Sequence, residues 1–320
     1  MKVVVLGPGA LGSIIGGLLA RAGEDVIVIA RGARAAYLQQ HGITLTGLAD
    51  FTVRVGVAAD PQAVHEADVL VVAVKTYDTD EALKSVRHMD VGSAVSIQNG
   101  VLKNEQLTGT FGRDRTLGAA AFISGAVLPD GVVRYTVNEY LVVGELPSGV
   151  SPRVHAFVDA LVRAGIRAEA VDHVQNVEWS KFALFLSWMA PALLTRLPTH
   201  LFQSHPDTAV VLAQLVRETG RLAEKLGVSF EDREPLPMKT LATIPLAEAV
   251  ARIRDFGKVM RERAPAHKIS ALQDLERGGR LEVEETLGYA VRKGAELRVP
   301  VPTMDTCYAL IAAINGSSGG

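Results

Sequence analysis

Three glycines near the start of the chain have the spacing that lets a backbone meet a pyrophosphate. Gly7-Pro8-Gly9-Ala10-Leu11-Gly12 reads G-x-G-x-x-G, preceded by the apolar run Val3-Val4-Val5-Leu6 and followed by a helix-like stretch from Ser13 to Gly23. In that strand, turn and helix context the pattern is a dinucleotide-binding fingerprint. Gly7 permits the tight turn, Gly9 lets the backbone approach the pyrophosphate, and Gly12 lets the helix pack closely on the strand. Ala10 and Leu11 complete the cofactor-binding fingerprint, and the helix that follows offers its N-terminus to the phosphates. Arg31 follows the second strand-like run, Asp25–Ala30, where a carboxylate would ordinarily hold a ribose 2'-hydroxyl. A 2'-phosphate would be repelled by a carboxylate and paired by a guanidinium, so Arg31, with Arg34 as a second candidate, points to NADPH. The bland alternative is a solvated arginine that only ends a strand.

Two further polar clusters end apolar runs. Val69 to Val74 leads into Lys75-Thr76-Tyr77-Asp78-Thr79, and Ala94 to Ile97 leads into Gln98-Asn99-Gly100. Lys75 and Asn99 thus fall at strand C-termini, where an open α/β sheet binds its ligands. By themselves, a lysine after a strand can be merely solvated and Asn-Gly can be merely a turn. More strands are expected at Leu117 to Ile123, Val132 to Thr136 and Tyr140 to Gly144, with a crossing helix from Pro152 to Ala164. From His173 the texture is helical: Val174 to Leu186, Asp207 to Leu226, Leu246 to Arg261, Leu281 to Leu297 and Thr303 to Ile314. The expected fold is an α/β N-terminal Rossmann-type dinucleotide-binding domain over residues 1–172 plus an all-α C-terminal domain over 173–315. Residues 316–320, rich in Gly and Ser, are expected to form a disordered tail.

Composition narrows the class. A chain of 320 residues with 48% hydrophobic content is long enough for about two domains. The net charge of -2 offers no footprint for nucleic acid or an anionic membrane. The single cysteine, Cys307, rules out an intrachain disulfide framework and suits a reducing, cytoplasmic setting. Gly7-Pro8-Gly9 interrupts the N-terminal apolar run too early for a secretory signal, and no stretch approaches the roughly eighteen apolar residues that span a bilayer. The eight histidines show no metal-ligand spacing, so no metal is expected. The expected partner is a small-molecule carbonyl substrate.

Five stretches then coincide in order and spacing: Gly7 to Gly12, Val74 to Thr79, Ile97-Gln98-Asn99-Gly100-Val101, Trp179-Ser180-Lys181-Phe182, and Ser270-Ala271-Leu272-Gln273-Asp274 leading to Glu282. On these the chain resembles the ketopantoate reductase (2-dehydropantoate 2-reductase) family along nearly its whole length. The resemblance implies NADPH-dependent reduction of the ketone of a 2-oxo acid to a 2-hydroxy acid, with ketopantoate to pantoate, in pantothenate biosynthesis, as the founding activity. It places Lys75 and Asn99 beside the cofactor and the cleft. Lys181 becomes the catalytic lysine and general acid, Ser270 a substrate contact and Glu282 the catalytic carboxylate. A homodimer also follows from it, although no sequence patch demands one. The residue types suit the chemistry, because hydride arriving at a carbonyl carbon develops negative charge on oxygen, which an ammonium can stabilise and then protonate.

One departure bears on the substrate. Where the family carries asparagines four and eight residues after the lysine, this chain has Phe185 and Met189. Losing amides that would bond a hydroxylated acid weakens such a substrate. A second reading is therefore a reductase of the same family acting on a more apolar carbonyl or imine, with Phe185 and Met189 as a wall. A third, a non-catalytic NADPH-binding protein, leaves the Lys181 and Glu282 pair without a purpose.

Overall fold

Branched apolar residues on both faces of the early strands require cover on both faces, and they have it. In the computed structural model, which describes residues 1–317, the chain runs β1 (Lys2–Leu6), α1 (Ala10–Arg21), β2 (Asp25–Ile29), α2 (Gly32–His41), β3 (Ile43–Gly47), β4 (Phe51–Val53), β5 (Gly56–Ala58), β6 (Glu66–Val72), α3 (Thr79–Val86), β7 (Asp90–Ser96), α4 (Leu102–Phe111), β8 (Thr116–Val127), β9 (Val133–Glu145), α5 (Pro152–Arg163) and β10 (Ala168–Ala170). Helices follow: α6 (Val174–Thr195), α7 (Thr199–Ser204), α8 (Pro206–Lys225), α9 (Met238–Thr243), α10 (Leu246–Arg263), α11 (Ser270–Glu276), α12 (Tyr289–Leu297) and α13 (Pro302–Ser317). The backbone falls into two units: residues 1–98 with 103–175, and residues 99–102 with the chain from Asn176 onward.

The first unit is a ten-stranded sheet in the order β4-β3-β9-β8-β7-β6-β1-β2-β5, with β10 on β9. Alternation sends Val3 and Val5 into one core and Val4 and Leu6 into the other, and β6 divides likewise into Val69 and Val71 against Leu70 and Val72. Since β1 pairs in parallel with β2 on one side and β6 on the other, the topological switch lies at its C-terminal end. The glycine turn emerges there, beside the end of β6. The two strands expected between Val132 and Gly144 are one strand, β9, antiparallel to β8 with two irregularities in register. The register slips past Glu139 and Thr136, while Asn138 stays paired with Ile123 and its side chain donates to Gly165 O and accepts from Arg167 N.

In the second unit α6 runs nine residues past the expected Leu186, through Pro191. A proline inside a helix costs about 3 kcal/mol. Burial around the helix offsets it, since Phe182, Ala183, Leu186, Ala190, Ala192 and Leu193 are all buried. The helix expected from Leu281 begins later and differently: Glu284–Gly288 is a π turn, with Gly288 N donating to Val283 O at 2.9 Å, five residues back, before α12 starts. Glu218 on α8, 2% exposed, accepts from the N–H groups of Thr303 (3.0 Å) and Met304 (2.9 Å) and so caps α13. Cys307, one turn on, is buried, and its thiol is pushed up to about 11 by burial, with the Glu218 charge adding. The last helix continues through Ser317, two residues into the expected tail, whose residues 318–320 lie outside the described residues. Among the described residues no helix is long and apolar enough to cross a membrane.

Candidate active site

The glycine turn of the first unit has the shape its sequence requires. Gly7 has φ +92°, and a Cβ there would lie 2.5 Å from Val74 Cγ1, so the turn packs against the end of β6. Gly12 faces the Gly7 carbonyl too closely for a Cβ, with Val5 and Ala73 also against it. Gly9 is exposed, and a Cβ there would meet nothing within 4 Å. Ala10, Leu11 and Gly12 form the first turn of α1, whose amides have no intrahelical acceptors. An open glycine before unsatisfied amides is a cradle that fits a dinucleotide pyrophosphate.

The two arginines part company. Arg34 donates to Pro8 O (3.0 Å), Gly131 O (2.7 Å) and Ser13 Oγ (2.9 Å), and lies over the Tyr37 ring. Its guanidinium is committed to bracing the glycine turn, and Arg31 is left as the 2'-phosphate candidate. Arg31 pairs with Glu81 at 2.9 Å, but the side chains are 60% and 75% exposed. Such a pair is worth at most about 1 kcal/mol and gives way readily to a phosphate. Lys75 is half-buried at the start of the turn Thr76–Asp78, three residues beyond the end of β6.

In the second unit the structure joins Lys181 to Asn99. Lys181 Nζ, half-buried on α6, donates to Asn99 Oδ1 at 2.9 Å. The Asn99-Gly100 turn rests on the π segment, since a Cβ at Gly100 would lie 3.6 Å from Glu285 O and 3.7 Å from Thr286 Cγ2. Thr286 donates its hydroxyl proton to the Glu282 carbonyl, and its Oγ1 lies 3.8 Å from Met189 Sδ. Lysine, asparagine and the carboxylate-bearing segment therefore share one neighbourhood. Glu282 lies just before the π turn, half-buried, rather than inside a regular helix. Phe185 is partly exposed, whereas Met189 is 1% exposed. Ser270 opens α11 and is exposed.

Residue type alone did not single out Gln98, Trp188 or Glu285. Trp188 is seven residues after Lys181, which turns it only about 20° from the lysine's direction, against about 80° for Met189. It stacks with Phe256 and meets His267 edge-on. The Glu285 carboxyl is held above the usual carboxylate range by burial, with the charges of Glu282 and Glu284 adding and Arg280 opposing. Its Oε2 is buried without a hydrogen-bond partner. A raised pKa in the folded state means that the contribution to stability is full below the ordinary value of 4.5 and is lost as pH rises through the folded value. Glu285→Gln should thus raise the melting temperature at about pH 8 and leave it nearly unchanged at about pH 4. A gain of equal size at both pH values would place the effect elsewhere. Among the described residues no group of three or more His, Cys, Asp or Glu side chains could hold a metal ion.

A Rossmann-type sheet followed by a helical unit with a lysine beside an asparagine defines a class, that of two-domain dinucleotide-binding oxidoreductases. Residues 3–148 match the family model for ketopantoate reductase PanE/ApbA, and residues 173–315 match its C-terminal model. The chain belongs to the ketopantoate reductase family. It is 30% identical over 314 residues to a 2-dehydropantoate 2-reductase of Archaeoglobus fulgidus, covering 98% of this chain and 97% of that one. The crystal structure of a PanE/ApbA family ketopantoate reductase from Ralstonia eutropha JMP134 superposes with a TM-score of 0.83 at 28% identity, covering all of both chains. D-mandelate dehydrogenase, solved with NADH and anilino(oxo)acetate, shares the fold at a TM-score of 0.85 and 16% identity over the full length of both chains.

Proposed function

We propose that the protein reduces the ketone of a 2-oxo acid to a 2-hydroxy acid with NADPH, with ketopantoate to pantoate as the leading reading. The observation that carries it is the Lys181 to Asn99 hydrogen bond beside the segment that bears Glu282. The nicotinamide, when bound, supplies the hydride. Gly7, Gly9, Ala10, Leu11 and Gly12 would hold the pyrophosphate and Arg31 the 2'-phosphate, with Lys75 and Asn99 beside the cofactor. Lys181 stabilises the negative charge that develops on the carbonyl oxygen and donates its Nζ proton to it. Asn99 fixes the direction of that proton, and Glu282 orients the lysine or holds a substrate hydroxyl. Ser270 is assigned to the substrate's polar end. The homodimer and the cytoplasmic setting belong to the same reading.

A second reading keeps the chemistry and changes the substrate. Phe185 presents an apolar face on the lysine's side of α6, and Met189 is buried, so neither supplies the amide that a hydroxylated acid would use. Oxidation of NADPH with ketopantoate and with branched, aromatic and unbranched 2-oxo acids decides between them. A kcat/KM of about 10⁴ M⁻¹s⁻¹ or more for ketopantoate supports the first. Turnover confined to apolar carbonyls supports the second, and no turnover with any of them overturns both.

Cofactor choice has its own test. Arg31→Asp is expected to weaken NADPH by about tenfold or more and NADH by far less, because only NADPH carries the phosphate that the new carboxylate repels. Equal weakening of both would remove Arg31 from the phosphate site.

A further inference from the structure

The end of β7 is organised around one buried amide. Gln98 is 6% exposed. Its Nε2 donates to Val74 O at 2.8 Å and to Thr79 Oγ1 at 2.7 Å, and its Oε1 accepts from Ser96 Oγ at 2.7 Å. Its backbone N–H donates to the same serine oxygen, and its carbonyl accepts from Lys103 Nζ at 3.2 Å. Lys103 is itself 4% exposed and also donates to Ala119 O on β8, so the anchor is tied to the sheet. Val74 and Thr79 bracket residues 75–78. A single amide therefore staples both ends of the Lys75 segment to the strand end from which Asn99 continues.

We infer that Gln98 is a positioning residue of the site, holding the Lys75 segment with its side chain and, through a peptide group pinned by Lys103, setting Asn99 against Lys181. Both protons of the amide point at oxygens, so no other residue of that size serves. Leucine and methionine cannot bond, and glutamate would turn a carboxylate oxygen towards the Val74 carbonyl. A hub whose polar groups all have partners stays in one arrangement, which is what a misplacement-sensitive proton donor needs. The inference deepens the proposed role of Lys181 and Asn99 and rests on it.

The test uses the full chain with Gln98→Met, Gln98→Glu and Ser96→Ala, and Asn99→Ala as a reference. The first readout is the titration of Lys181 followed by NMR on ¹⁵N-lysine protein, without cofactor or substrate. An acceptor at Nζ favours the ammonium, so release of Asn99 should move the Lys181 midpoint to lower pH. Gln98→Met is expected to move it in the same direction as Asn99→Ala, and Ser96→Ala by less. The second readout is turnover: Gln98→Met should lower kcat by about ten- to a hundredfold while KM for the 2-oxo acid changes by less than about threefold. A cooperatively folded Gln98→Met protein with the wild-type Lys181 midpoint overturns the inference. If Gln98→Met does not fold, Ser96→Ala, which removes one hydroxyl and its two hydrogen bonds to Gln98 while keeping the amide, decides by the same midpoint. If the wild type reduces no 2-oxo acid, the functional reading fails, yet the NMR titration still settles whether Gln98 positions Asn99.

Discussion

Replacing Lys181 with alanine is expected to lower kcat by at least about a hundredfold while NADPH binds within a fewfold of wild type. Two features make the effect large. The ammonium is half-buried and aimed by Asn99 Oδ1 at 2.9 Å, so its direction is set before any substrate arrives. Its helix, α6, is buried along most of its length, so truncation leaves the backbone where it was. Cofactor binding is assigned to the glycine turn of the other unit and should not feel the loss. Stopped-flow turnover and fluorescence titration of NADPH separate the two quantities. A variant that turns over normally would strip Lys181 of the proton-donor role, and one that loses both turnover and NADPH affinity would show that the lysine serves cofactor binding.

The second large effect divides the glycines. Gly12→Ala should cost about 3 kcal/mol or more, because its Cβ drives into the Gly7 carbonyl, and backbone cannot step aside as a side-chain tip can. Gly9→Ala should leave stability within about 0.5 kcal/mol, since nothing lies within 4 Å of the added methyl. That methyl instead occupies the open side of the cradle, so NADPH affinity should fall by about tenfold or more. Thermal melts and cofactor titrations of both variants make the comparison. An unchanged affinity in Gly9→Ala would mean that the pyrophosphate does not approach there.

Much of this was legible because some steps in the fold leave one choice of residue. The turn from β1 into α1 needs glycine at residues 7 and 12 for reasons local to a few atoms, and local constraints print themselves in sequence. Lys181, Asn99 and Glu282 stood out by resemblance rather than by spacing, since a lysine on a helix looks the same whether solvated or aimed. What escaped notice was set by distant carbonyls. Arg34 resembled a phosphate ligand until Pro8, Ser13 and Gly131 claimed its donors. Gln98 reads in sequence as no more than the first residue of a polar cluster, and its role depends on Val74, Thr79 and Ser96, which surround it. Phe185 and Met189, four apart, seemed equivalent on one stripe. Each four-residue step drifts about 40° around the helix, enough to leave the first partly exposed and press the second into the core.

Cys307 has a practical consequence. A thiol held near 11 and buried in α13 presents almost no thiolate at neutral pH. The native chain is thereby expected to react far more slowly with maleimide dyes and spin labels than a cysteine placed on the surface. One cysteine placed on each unit would then carry most of the label signal, and the distance between them could be followed as NADPH and substrate are added.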